Sequence, residues 1–172
     1  VKDALIYQWA SYTAVYSFVQ DMTVLRGQLQ NAFPNTKIKV YQDLVYDFES
    51  QEHCESKEIH KDVETIIMTA NLVSDPAKQQ EYIDYHQSQF EKWPEVSGGF
   101  CNASFQQVLV FKNERQLMLV ITIPKGQRLD KLNPKTTENN PKVVEWNKLM
   151  SQYQEGIEGT KNGETWIVLK EY

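Results

Sequence analysis

Tyr82, His86 and Phe90 are spaced four apart in a run that reads as helix, so their side chains share one face, and Trp93 continues it. An imidazole within an aromatic, core-directed stripe loses part of its hydration. Its proton affinity then lies near neutrality, which suits it to accept and return protons. The same position equally fits a structural histidine bonded to a backbone carbonyl. Trp93-Pro94-Glu95 places an indole and a carboxylate at the helix end, where a simple helix stop with a packed tryptophan is the plain alternative. His53 and His60 sit among Glu52, Glu55, Glu58 and Asp62. Their spacing matches no ligand pattern, so a solvated charged loop is expected and no metal site. Cys54 and Cys101 form no CxxC and have no histidine placed to activate them, and they read as two buried free thiols. No GxGxxG, GxxxxGK[ST], GxSxG or HExxH occurs, which removes support for nucleotide, serine-hydrolase and zinc-protease chemistry.

The elements that must position these residues can be read from periodicity and punctuation. Ala4 to Tyr12 is rich in β-formers and reads as a strand. Val15, Val19, Met22, Leu25, Leu29 and Phe33 make a helical stripe, stopped by Pro34. From Lys37 to Phe48, residues Ile38, Val40, Leu44, Tyr46 and Phe48 share one parity, the mark of a half-buried strand. Glu49 to Asp62 is an acidic connector and the candidate domain boundary, dividing an N-terminal β-α-β unit (1–60) from a larger domain (61–172). Beyond it, Val63 to Val73 reads as a strand. Ser74-Asp75-Pro76 starts a helix reaching about Lys92, which Pro94 and Gly98-Gly99 end. Phe105 to Phe111 and Gln116 to Ile123 form a hairpin. A polar connection leads to a second helix from Pro141 to Tyr153, with Val144, Leu149 and Tyr153 apolar and Trp146 beside them, and then to a closing strand over Thr165 to Leu169. The order from Val63 is β-α-β-β-α-β, which predicts an α+β, ferredoxin-like antiparallel sheet with two helices on one face. Such a sheet leaves a bare face, so a homodimer or an intrachain pseudo-dimer is expected, with the first 60 residues as half of a second module.

Composition agrees with a folded domain of this kind. The chain has 172 residues, 41% apolar and 24% charged, ordinary for a globular protein and outside the disordered and fibrous classes. A net charge of −5 with scattered lysines and arginines gives no phosphate-tracking stripe, so nucleic acid is not an expected partner. No apolar run approaches the roughly 18 residues that would span a bilayer. Val1-Lys2-Asp3 does not open a signal peptide, which favours a soluble, cytoplasmic protein over an exported one, while the missing initial methionine leaves a removed leader open.

Two stretches resemble a known family. Asp75 to Val96 (DPAKQQEYIDYHQSQFEKWPEV) is similar to the signature of the L-rhamnose mutarotases, in which a helix carries a tyrosine, a histidine and then Trp-Pro-Glu. Asn140 to Tyr172 resembles that family's second helix, loop and last strand. The resemblance covers roughly residues 63–172. It implies a dimeric α+β barrel and cofactor-free acid/base interconversion of the anomers of a 6-deoxyhexose. Carried over by position, His86 is the acid/base group; Tyr82, Trp93, Glu95, Gln107 and Trp146 are substrate-binding. The chain departs from the pattern in three places. Phe90, not a tryptophan, follows His86 by four, and Trp93 comes at seven, as if a few residues were inserted. Gln107 stands where a strand tyrosine often occurs, and Trp146 is followed by Asn147 rather than a second tryptophan. Two other functions fit the same fold: a non-catalytic sugar-binding or regulatory module, favoured by Gln107 and Asn147, and a haem or small-aromatic oxygenase with His86 as axial ligand.

Overall fold

A computed structural model describes residues 5–9, 12–16, 21–56 and 60–171. In chain order its elements are β1 (Leu5–Trp9), β2 (Tyr12–Tyr16), α1 (Met22–Ala32), β3 (Asp43–Glu49), α2 (Ser50–His53), β4 (Val63–Leu72), α3 (Pro76–Gln87), α4 (Gln89–Lys92), α5 (Pro94–Asn102), β5 (Gln107–Asn113), β6 (Gln116–Pro124), α6 (Leu129–Leu132), a 3-10 turn (Asn133–Thr136), α7 (Pro141–Met150), β7 (Gln154–Glu155) and β8 (Ile167–Glu171).

The strands form one antiparallel sheet in the order β2-β1-β8-β4-β6-β5-β3, with β7 also on β4. Its centre, β8-β4-β6-β5, is the expected ferredoxin-like arrangement, with α3 and α7 as the two crossover helices. The first 50 residues add strands at both edges: the β1–β2 hairpin beside β8, and β3 beside β5.

Alternation along the strands splits the apolar side chains between two faces. Leu72, Val108, Val110, Leu117, Ile121 and Ile123 pack with Tyr82, Val96, Val143 and Trp146 in the main core on the helix side. Ile67, Leu109, Val120 and Leu169 form a smaller cluster on the opposite face, and Ala14 of β2 packs against it. A strand at the sheet margin reaches this cluster only if the sheet curls over it.

Several elements depart from the expected ones. The predicted first strand and the start of the predicted helix are a hairpin. Asp21 sets the true helix start, since its carboxylate accepts from the amides of Thr23 and Val24 at 2.8 and 3.3 Å. Val19 of the predicted stripe lies outside the described residues. In β3 the register slips between Leu44, opposite Phe111, and Tyr46, opposite Val110. This β-bulge breaks the single parity: Tyr46 and Phe48 enter the main core, while Leu44 is 47% exposed. The helix expected to Lys92 breaks at Ser88, whose hydroxyl donates back to the Asp84 carbonyl at 2.8 Å. Pro94 and the two glycines do not end the helical region. Pro94 occupies the first turn of α5, where its missing N–H costs nothing, and Gly99 lets α5 approach the Thr136 carbonyl. On α7 the inward residues are Val143, Trp146 and Met150, and Val144 faces solvent. Cys54 and Cys101 are not free thiols: they are joined in a disulfide between the end of α2 and α5. Among the described residues no helix is long and apolar enough to cross a membrane.

Candidate functional site

Asp75 caps α3 by accepting from the Ala77 amide at 2.9 Å, and Pro76 fixes the first helical turn. That start sets the helix phase so that Tyr82 and His86, one turn apart, both face the sheet; they are 1% and 8% exposed. Three rings enclose the imidazole. Tyr82 lies 4.1 Å away between centroids, Trp146 of α7 stands edge-on at 5.2 Å, and Tyr46 of β3 stands edge-on at 5.5 Å. Trp93 extends the wall, 5.6 Å from Trp146. Four of the expected site residues, Tyr82, His86, Trp93 and Trp146, are thus brought together.

The protonation of His86 follows from its contacts. Nδ1 lies 2.9 Å from the Tyr82 carbonyl oxygen, which can only accept, so Nδ1 carries the proton. Burial lowers the imidazole pKa to about 4, with the carbonyl bond opposing part of the shift. At neutral pH the ring is uncharged and Nε2 holds a lone pair. Among the described residues Nε2 has no hydrogen-bond partner. Among the described residues no side-chain nitrogen or oxygen sealed from solvent lacks one, so Nε2 is not fully sealed, although the residue is only 8% exposed. The indole N–H groups of Trp93 and Trp146 are in the same condition, and both are free to donate. His86 is thus bonded to a backbone carbonyl through one nitrogen, as the structural reading expects, and its other nitrogen has no partner among the described residues.

A second polar relay runs from Trp166. Its Nε1 donates to Gln154 Oε1 at 3.1 Å, which turns the Gln154 amide nitrogen toward the Tyr82 hydroxyl at 3.4 Å. Tyr82 accepts that bond, and its own O–H proton has no acceptor among the described residues. Burial pushes its pKa well above the usual phenol value, so it remains a donor. Nothing in the local sequence of Gln154 or Trp166 marks them for this role. Tyr46 was equally hidden, because its approach depends on the β3 bulge.

The remaining expected residues lie elsewhere. Glu95 is exposed on the first turn of α5 and lines a surface cavity of about 470 Å³ with Asn102, Lys135, Glu138, Asn139 and Asn140, to which His86 does not contribute. Gln107 begins β5 on the parity of Leu109, away from the helices, and its amide donates to Glu49 of β3. Phe90, carried onto α4 by the break, stacks on Tyr46 at 5.3 Å and on His53 at 4.0 Å. His53, at the end of α2, is exposed as expected, yet one face of its ring stacks on Phe90 and Phe48. Among the described residues no three of His, Cys, Asp and Glu gather as metal ligands would.

Residues 65–172 match the L-rhamnose mutarotase family. An L-fucose mutarotase from Xanthomonas campestris pv. campestris is 26% identical over 97 residues, covering 56% of this chain and 75% of that protein. The matched stretch contains α3, α4, α5, α7 and every ring around His86 except Tyr46. The similarity therefore falls on the region that builds the site, and the chain belongs to the L-rhamnose mutarotase family.

Proposed function

We propose that the protein interconverts the anomers of a 6-deoxyhexose such as L-rhamnose or L-fucose, with His86 as the acid/base group. The observation that carries this reading is the unpartnered Nε2 lone pair of a neutral, tautomer-fixed imidazole set among aromatic rings whose indole N–H groups have no acceptor among the described residues. As the C1–O5 bond opens, Nε2 takes the proton of the anomeric hydroxyl. The imidazolium gives that proton to the ring oxygen, leaving an open-chain aldehyde, while the Tyr82 phenol stays protonated as a hydrogen-bond donor. Rotation about C1–C2 presents the other carbonyl face. Closure carries the ring-oxygen proton back through Nε2 to the new anomeric oxygen. Only protons move, so the reading includes no cofactor. The Trp93 and Trp146 indoles supply a wall for the sugar's C–H face and N–H donors for its hydroxyls.

Saturation-transfer NMR of L-rhamnose and L-fucose tests this directly. Wild-type protein should raise the α/β exchange rate, and His86→Ala should lower the catalysed rate at least about 100-fold, the usual share of a general base. Equal rates for the two proteins would refute it. A second reading, sugar binding without catalysis, is favoured by the 8% exposure of His86. It would show as saturable binding with exchange at the uncatalysed rate.

A further inference from the structure

We propose that Tyr46, which lies outside the family match, is a positioning residue for the His86 chemistry: its ring edge holds the imidazole, and its hydroxyl ties the site to the short helix after Ser88. The proposal rests on the mutarotase reading for the reaction, but its structural half does not.

The β3 bulge aims the residue. Without the slip between Leu44 and Tyr46, strict pairing would set Tyr46 opposite Leu109, whose side chain belongs to the cluster on the far face. With the slip, Tyr46 pairs with Val110 and its phenol enters the helix-side core, 5% exposed. Bulges are used in this way to redirect a side chain near a functional site. The ring then meets His86 edge-on at 5.5 Å and stacks with Phe90 at 5.3 Å.

Its hydroxyl is held by Gln89, with Ser97 beside it. Tyr46 donates to Gln89 Oε1, which also accepts from Ser97 at 3.2 Å, while the Gln89 amide nitrogen donates to the Trp93 carbonyl. Gln89 is fully buried, so these bonds are made away from competing water. Gln89 and Trp93 stand at the two ends of α4. One phenol therefore joins the strand before the matched region, the short helix that carries Trp93 at its end, and the imidazole.

Two variants separate positioning from simple packing. Tyr46→Phe keeps the ring edge and removes the link to Gln89. Tyr46→Leu removes both. The titratable groups in ring contact with His86 are Tyr46 and Tyr82, both phenols that stay protonated over the range used. Each variant is measured for His86 titration by side-chain NMR, for amide exchange at residues 89–93, and for kcat and KM of anomer exchange. Tyr46→Leu should raise the His86 titration midpoint by at least about one pH unit as water reaches the ring. Tyr46→Phe should leave that midpoint in place, speed amide exchange at 89–93 at least tenfold, and lower kcat more than it raises KM. If Tyr46→Leu does not fold, the Tyr46→Phe results decide. An unchanged midpoint in folded Tyr46→Leu overturns the proposal, as does unchanged exchange at 89–93 in Tyr46→Phe. If wild type catalyses no anomer exchange, the mutarotase reading falls, while the NMR readouts still decide whether Tyr46 positions His86.

Discussion

Acidification from pH 7 to pH 4 should destabilise the folded protein by about 3 kcal/mol through His86 alone. The imidazole titrates at about 4 in the fold, because burial disfavours its charged form, against 6.5 in an unfolded chain. Between these values the unfolded state binds more protons than the folded one, so stability rises with pH across the window and falls as pH drops. At pH 7 both states are largely neutral and the penalty is small. At pH 5 the unfolded histidine is almost fully protonated and the folded one is not, which costs about 2 kcal/mol, and the loss reaches about 3 kcal/mol by pH 4. Urea denaturation at pH 7, 6, 5 and 4 measures this when wild type is compared with His86→Gln, which cannot titrate. Background carboxylate effects are common to both proteins, so the gap between the curves should narrow by about these amounts as pH falls. Parallel curves, or direct NMR titration of His86 near 6.5, would refute both the burial argument and the neutral base assigned to it.

The same protonation predicts a catalysed exchange rate that is flat from pH 7 to pH 5 and drops near pH 4, as read from saturation transfer across that range. Trp146→Phe keeps an aromatic wall but loses the accessible N–H, and should weaken sugar affinity about fivefold, the value of about one hydrogen bond, measured by ligand-detected NMR titration. Gly99→Ala would put a methyl carbon 2.5 Å from the Thr136 carbonyl oxygen and should cost about 3 kcal/mol by urea denaturation. Replacing both Cys54 and Cys101 by serine opens a loop spanning 47 positions and should cost about 4 kcal/mol by the chain-entropy estimate, again by urea denaturation.

What the sequence disclosed was what local chemistry decides. Asp75-Pro76 marked the start of α3, Tyr82 and His86 showed their common face by spacing alone, and the apolar runs around Lys112–Arg115 marked the β5–β6 hairpin. The features that escaped depend on contacts between distant segments. No local pattern shows that Val45 is an extra residue in the β3–β5 ladder, yet that residue decides which face Tyr46 takes. Gln89 reads as one polar residue on a helix, and only the break at Ser88 turns it inward. Val143 and Val144 are equally apolar, and the helix phase that buries one is fixed by packing on α5. Cys54 and Cys101 are too far apart in sequence for spacing to pair them. Gln107 is expected at the site only from the family resemblance, whereas its strand parity sends it to the other face.

The order of strands has a consequence for assembly. Both outermost positions of the sheet belong to the segment ahead of the matched region, β2 at one margin and β3 at the other. The outward side of β5 is therefore paired along most of its length, and that of β8 at Lys170 and Glu171. A copy shortened to residues 61–172 would carry two naked flanks, each a template for another chain to zip onto, and would tend toward open-ended polymers. In the intact chain the first fifty residues move those flanks outward, so any strand-to-strand joining would have to start from β2 or β3.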